Sequence, residues 1–163
     1  TRINFKRIDA MSFFSKNKKK FDLILIKQTI HLIQTKQIKN LLNKMNNSLK
    51  PKGKILIFTL DPDNNEIPSF KLMKIRLLKS LKRDKKILSF ISKLYPKRIC
   101  KRFSYEVKIT KKKYLNMIKE RFISTLLNFS NKEIISGVKE INLKYKNNLK
   151  FKDKLVCIII KNN

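Results

Sequence analysis

Glycine, cysteine, histidine and acidic residues are all scarce in this chain of 163 residues. It has two glycines, two cysteines, one histidine and no tryptophan. Cys100 and Cys157 form no CxxC pair, and a single histidine cannot complete a Cys/His zinc site, so we predict no metal centre. No run reaches the ~18 apolar residues of a membrane-spanning helix. The first residues show no signal-peptide pattern, and we expect a cytoplasmic protein.

Positive charge is abundant: 41 Lys and Arg residues face 11 Asp and Glu residues, a formal net charge of +30. Such a surplus usually indicates a nucleic-acid or anionic-membrane partner. However, only 7 of these residues are arginine, the side chain that phosphate and base recognition favours. The 34 lysines accompany 23 isoleucines and 16 asparagines, a bias typical of coding DNA rich in A and T. We therefore interpret the lysines as a solvated surface that binds RNA and other polyanions weakly and in a salt-sensitive way.

The apolar pattern predicts alternating strands and helices in one domain covering residues 1–163. Strands are predicted at 3–8, 21–26, 54–60, 103–109 and 154–161. Helices are predicted at 36–49, at 69–94 with a break near 82–85, at 110–121 and at 130–146. The strands at 21–26 and 54–60 are continuous apolar runs separated by a helix, so we expect parallel neighbours buried on both faces. The fold class is α/β, a Rossmann-like three-layer αβα sandwich whose sheet is mostly parallel with an antiparallel C-terminal strand.

Two helices begin with recognisable capping residues. Thr110 is in position to cap the helix that follows it. Ser130 precedes Glu133 by three residues, which is the spacing of a capping box. Cys157 lies within the apolar run "LVCIII", where we expect a small core residue.

Polar residues follow three of the predicted strands: Asp9-Ala10, Lys27-Gln28 and Asp61. In an open parallel sheet, ligands bind beyond the carboxyl ends of the strands, so these positions form a candidate site. His31 follows the second strand by a few residues. It is the only side chain here whose unperturbed pKa suits proton transfer near neutral pH, and it is our candidate catalytic residue.

Four segments together carry a resemblance to a known family: "RIDA", "FDLILIKQTIHLI", "LLNKMNNSLKPKGKILIF" and, in the tail, "YLNMIKERFISTLLNFSNKEIISGVKEI". In this order they resemble the second half of the class I S-adenosylmethionine-dependent methyltransferases. The resemblance covers nearly the whole chain. It implies the fold class stated above, methyl transfer as the activity and S-adenosylmethionine as the cofactor.

The resemblance also implies roles for single residues. Asp9 would accept a hydrogen bond from the adenine amino group, and the backbone at Ala10 would meet the adenine ring. Lys27 and Gln28 would pass beside the methionine part of the cofactor. His31 would lie near the methyl-acceptor pocket.

The chain departs from the family pattern at its glycines. With only Gly53 and Gly137 available, the family's Gly-rich cofactor loop has no counterpart here, and neither does the acidic residue that holds the ribose. Lys52 stands where the family's turn before a strand has a second glycine. We therefore expect a class I domain that is N-terminally truncated and that binds S-adenosylmethionine poorly by itself.

The tail resemblance favours a small-molecule or lipid-like methyl acceptor, with residues 61–103 as a helical lid or substrate region. One alternative is an RNA or protein methyltransferase, which the charge favours. However, "IKQTI" stands where many base-modifying members carry an Asn-Pro-Pro-Tyr type of motif. A second alternative is a basic nucleic-acid-binding protein without catalysis.

Overall fold

The computed structural model describes residues 3–162 and contains helices and strands in alternation. The elements are α1 (Ala10–Lys16), β1 (Phe21–Lys27), α2 (Thr35–Asn47), β2 (Leu49–Leu60), α3 (Lys71–Leu94), β3 (Ile99–Ile109), α4 (Lys111–Lys119), α5 (Asn131–Lys144) and β4 (Leu149–Lys161). Single 3₁₀ turns occur at Ile30–Leu32 and Ser124–Leu126. Among residues 3–162, every helix is too short or too polar to span a membrane.

The strands form one open mixed sheet in the order β1-β2-β4-β3. β1 and β2 are parallel neighbours, as predicted. β4 runs antiparallel to β2: the Asp61 N–H donates to the Lys154 carbonyl and the Asn162 N–H donates to the Gly53 carbonyl, both at 2.9 Å. The predicted α/β class with an antiparallel C-terminal strand is confirmed.

The chain divides into two compact units. Of the described residues, the first unit contains 3–59, 87–101 and 157–162, and the second contains 60–86 and 102–156. Each unit has its own cluster of buried apolar side chains.

The first unit is built on the β1-α2-β2 segment. Ile24 and Ile26 of β1 lie opposite Ile55 and Ile57 of β2, and all four are buried. The apolar residues of α2 recur at spacings of three and four and are buried in the same cluster. They are Ile38, Leu41, Leu42 and Met45. The amphipathic helix predicted at 36–49 is therefore confirmed, ending two residues earlier.

The prediction that β1 is buried on both faces is wrong. Leu23 and Leu25 alternate with the buried isoleucines and are 51% and 55% exposed. Successive side chains in a strand point to opposite faces of the sheet. The core cluster therefore buries the isoleucines on one face, and the leucines on the other face stay exposed to solvent. A continuous apolar run therefore does not show whether one face or both faces of a strand are covered by neighbouring elements.

The strand predicted at 3–8 is also wrong. Residues 3–9 have no regular secondary structure, and Phe5 is 90% exposed. An alternating pattern describes which side chains would share a face, but a strand also needs a hydrogen-bonded neighbour. Within residues 3–162, this segment is paired with none of the four strands.

The second unit is centred on aromatic side chains. Phe70 at the start of α3 stacks edge-on against Phe129, with ring centroids 5.5 Å apart. Tyr114 of α4 is buried and its hydroxyl donates to the Pro68 carbonyl. Gly137 of α5 lies against Phe70, whose ring carbons would be 2.6 Å from a Cβ at that position.

The predicted helix caps in this unit are confirmed. The Thr110 hydroxyl accepts from the Lys113 N–H at 3.3 Å at the start of α4. At α5, the Ser130 hydroxyl accepts from the Glu133 N–H, and the Glu133 carboxylate accepts from the Ser130 N–H. Both bonds of a capping box are thus present.

The break predicted in α3 near 82–85 is wrong, since the helix is continuous from Lys71 to Leu94. Asp84 is buried, three residues after buried Leu81 and three before buried Ile87. It is paired with Arg83, at 3.4 Å between Asp84 Oδ1 and Arg83 Nε. The charged stretch therefore keeps the helical spacing, and it contains no glycine or proline to interrupt it.

The last three strands begin earlier than predicted. β2 starts at Leu49 rather than 54, β3 at Ile99 rather than 103, and β4 at Leu149 rather than 154. The added part of β2 contains an irregularity in its pairing with β1, between the partners of Phe21 and Leu23. Lys52 lies in this added part and has a left-handed conformation with φ 63°. Cys157 is buried, as predicted, and Cys100 is exposed.

Candidate functional site

A left-handed residue ends the first strand of the candidate site. Lys27 is the last residue of β1, and Gln28 follows with φ 52°. A left-handed conformation costs an L-residue roughly 1–2 kcal/mol. The Gln28 N–H donates to the Phe58 carbonyl at 2.8 Å, which holds the strained residue against β2. Strain of this kind is often found at ligand sites, so Gln28 is a site candidate on structural grounds too.

His31 lies in the 3₁₀ turn that follows. Its neighbour Ile30 is almost completely buried in the core cluster of the first unit. His31 itself is partly buried and interacts with other residues of the chain. The turn therefore places His31 four residues after the last residue of β1.

Asp9 has a structural partner in the helix that follows it. It is the N-cap of α1, and its Oδ1 accepts from the Ser12 N–H at 3.0 Å. The other carboxylate oxygen, Oδ2, makes no hydrogen bond within residues 3–162. Asp9 is exposed, so Oδ2 remains available to a ligand.

These predicted site positions all belong to segments that contact the apolar core of the first unit. Ala10 packs against the same apolar cluster that contains Ile26 and Ile30. The segments carrying Asp9-Ala10, Lys27-Gln28 and His31 are therefore all attached to the core of the first unit. That their side chains line one ligand site stays a prediction.

Asp61 follows β2 and belongs to the second unit. Its side chain is only 3% exposed, and its Oδ2 lies 3.3 Å from Arg102 Nε. Its Oδ1 accepts from the Asp63 N–H at 3.0 Å. Both oxygens are engaged, so this carboxylate serves the local structure and we do not assign it to the candidate site.

Neither glycine is in a position to form a cofactor loop. A Cβ at Gly53 would lie 2.9 Å from the Lys50 carbonyl oxygen and 3.0 Å from that of Phe21. Gly137 is inside a helix against Phe70. Two features would be available to the adenine and methionine ends of S-adenosylmethionine: the exposed Asp9 carboxylate and the left-handed Gln28 after β1. The Gly-rich turn expected of the family is absent from residues 3–162.

Two features of this region were not predicted from the sequence. Helix α1 could have been found, because Asp before a short apolar segment is a standard N-cap signal. The left-handed Gln28 could not, because glutamine has no preference for that conformation. Its conformation follows from the hydrogen bond to β2, which joins residues distant in sequence.

No protein-family model matches the sequence, and no curated protein matches it. Among solved structures, the chain is similar to the plantazolicin methyltransferase BpumL in complex with a pentazolic desmethylPZN analog and SAH. The identity is 16%, over 94% of this chain and 57% of that one, with a TM-score of 0.41. For the plantazolicin methyltransferase BamL, in complex with a triazolic desmethylPZN analog and SAH, the identity is 16% over 96% and 59%, with a TM-score of 0.43. The chain thus spans less than two thirds of either protein, and the likeness concerns the fold alone.

Proposed function

We propose that this protein is an S-adenosylmethionine-dependent methyltransferase acting on a small-molecule or lipid-like acceptor. The observation that carries the proposal is where the family-like segments fall in the fold. "FDLILI" and "KILIF" form the parallel pair β1 and β2 joined through α2, and the last strand is antiparallel. This is the arrangement that the resemblance implies, and it supports the same alignment for the residues that follow each strand.

In this proposal four residues bind the cofactor. Asp9 accepts from the adenine amino group through Oδ2, while Oδ1 caps α1. Ala10 borders the adenine ring with its backbone. Lys27 and Gln28 border the methionine part, at the left-handed residue that follows β1.

S-adenosylmethionine supplies a methyl group on an already activated sulfonium, so the chain has mainly to bind, orient and exclude water. His31 takes the proton from acceptors that must lose one. The preference for a small or lipid-like acceptor rests on the resemblance of the tail. The role of residues 61–103 as a substrate region also stays a proposal, and α3 occupies most of that range.

The proposal is tested by calorimetric titration of the full-length gene product with S-adenosylmethionine. The informative variant is Asp9→Asn, because asparagine is as good an N-cap as aspartate. With its amide oxygen in the cap, asparagine presents an NH₂ group to the adenine amino group in place of Oδ2. Hydrogen bonds to charged groups contribute about 1.5–3 kcal/mol, so we expect cofactor affinity to fall at least about tenfold.

Asp22→Asn is the matched control, since it removes one exposed carboxylate from β1. Lys50 Nζ donates to Asp22 Oδ2 at 2.9 Å, and this hydrogen bond lowers the pKa of the Asp22 carboxyl. The control should leave cofactor affinity within about twofold, because surface ion pairs contribute little. Equal losses in both variants would show a general charge effect. No binding by the wild type, with tight RNA binding at physiological salt, would favour the nucleic-acid-binding alternative.

A further inference from the structure

A small cavity in the second unit lies between the loop after β2, α3 and the end of α5. Its volume is about 210 Å³, below the usual size of a pocket for a drug-sized ligand. One wall consists of leucines at helical spacing on α3: Leu77, Leu78 and Leu81. Leu77 and Leu81 are buried, whereas Leu78 is 56% exposed. The cavity therefore has an apolar wall that reaches solvent.

Asn65, one of the polar residues that line the cavity, has a buried donor without a partner within residues 3–162. Asn65 Oδ1 accepts from the Ile67 N–H at 3.1 Å, which fixes the orientation of the amide. Asn65 Nδ2 is buried and has no hydrogen-bond partner within residues 3–162. A buried donor left unsatisfied is costly, so the site calls for an acceptor oxygen.

Two of the side chains that line the cavity are positively charged. Lys74 and Lys144 line the cavity, and neither takes part in an ion pair within the described residues. Glu66 also lines it, but its carboxylate accepts from Lys154 Nζ and from the Lys152 N–H. The acidic group is thus neutralised by a lysine that does not line the cavity. Lys144 Nζ lies 5.4 Å from the centre of the Tyr145 ring, a contact that leaves its charge available to an anion, as is the charge of Lys74.

We propose that this cavity is a binding site for a small amphipathic carboxylate. The carboxylate accepts from Asn65 Nδ2 and is neutralised by Lys74 and Lys144, while the alkyl chain lies along the leucines of α3. Only an anionic acceptor satisfies the amide and the two ammonium groups together. The proposal does not depend on methyl transfer, and its test measures binding alone.

The first test is a titration of the full chain with octanoate. Binding is measured by calorimetry and by the NMR shifts of the asparagine side-chain amides. 1-Octanol and octylammonium serve as matched probes with the same alkyl chain and different headgroups. We expect octanoate to bind at least tenfold more tightly than 1-octanol, with octylammonium weakest. The largest shift among the side-chain amides should belong to Asn65.

Asn65→Asp is the informative variant, because it keeps Oδ1 for the Ile67 N–H and replaces the donor by a carboxylate oxygen. It should lower octanoate affinity at least tenfold. Asn64→Asp makes the same charge change at an exposed adjacent position and should alter the affinity less than twofold. Should Asn65→Asp not fold, Lys74→Met at an exposed position of α3 keeps the alkyl stem and should abolish the preference for octanoate over 1-octanol.

Three results would each overturn the proposal. The first is no octanoate binding by the wild type at millimolar concentration. The second is equal affinity for octanoate and 1-octanol, which would leave the cavity without anion recognition. The third is an equal loss of affinity in the Asn64 and Asn65 variants, which would mean that octanoate merely responds to the overall positive charge.

Discussion

Replacing Gly137 with alanine should destabilise the protein, although helix propensity alone predicts the opposite. Gly137 lies in the interior of α5, where glycine is less favourable than alanine by about 1 kcal/mol. On an open helix surface, the substitution would therefore stabilise by about that amount.

The surroundings of Gly137 reverse the sign. A Cβ there would lie 2.6 Å from two ring carbons of Phe70, whereas carbon atoms prefer about 3.5–4.0 Å. Phe70 is only 2% exposed, and Phe129 packs edge-on against it, so the ring has little room to retreat. Overpacking of this kind costs about 1–3 kcal/mol. Subtracting the propensity gain of about 1 leaves a net destabilisation of about 0–2 kcal/mol, and we expect about 1.

The assay is urea unfolding followed by far-UV circular dichroism. For a slope of about 2 kcal/mol/M, a loss of about 1 kcal/mol lowers the midpoint by about 0.5 M. Ser136→Ala is the control, because Ser136 is the exposed neighbour in α5 and alanine should stabilise there slightly. In a Phe70→Leu background the clash is relieved, so the added cost of Gly137→Ala should largely disappear.

A rise in the midpoint for Gly137→Ala in the wild-type background would refute this reasoning. It would mean that the Phe70 ring moves aside at little cost. A loss that persists unchanged in the Phe70→Leu background would place the cause elsewhere in the helix.

Two further predictions concern backbone strain and pH. Lys52→Gly relieves a left-handed L-residue that costs roughly 1–2 kcal/mol, and the greater unfolded-state entropy of glycine offsets about 0.5–1 kcal/mol of that gain. We therefore expect a net stabilisation of about 0.5–1 kcal/mol, and no gain over a Lys52→Ala control in urea unfolding would contradict this. Hydrogen bonds from the Ser130 N–H, and then from its hydroxyl, lower the pKa of Glu133. This group therefore stabilises the fold above its unfolded pKa, and that contribution is lost as the pH falls through the folded pKa. Glu133→Gln should flatten the acid side of the stability curve, and unfolding midpoints that fall equally steeply in both proteins would disprove it.

The residues proposed for the cofactor show how far sequence reasoning reaches into a site. Residue type and position after a strand selected Lys27 and Gln28. In the structure Lys27 is the last residue of β1 and Gln28 follows it. The same reasoning selected Asp61, whose carboxylate is buried and bonded to Arg102 and to the backbone of Asp63. Sequence position identifies a side chain near a strand end, but its existing partners depend on residues far along the chain.

The sequence by itself determined the local elements whose signals lie within one turn or one run. Thr110 and the Ser130-Glu133 pair start helices because their bonds join residues three apart, and α2 is amphipathic because its apolar spacing is helical. The parallel pairing of β1 with β2 also followed, because a helix between two apolar runs allows that connection.

Only the tertiary structure decided which of these patterns are buried and paired. It left residues 3–9 without a strand partner, exposed Leu23 and Leu25 on one face of β1, and continued α3 through a charged stretch with Asp84 buried. It also imposed the left-handed conformations of Gln28 and Lys52. The physical reason is common to all of them: burial, strand pairing and strain depend on contacts between distant residues, which a local pattern does not contain.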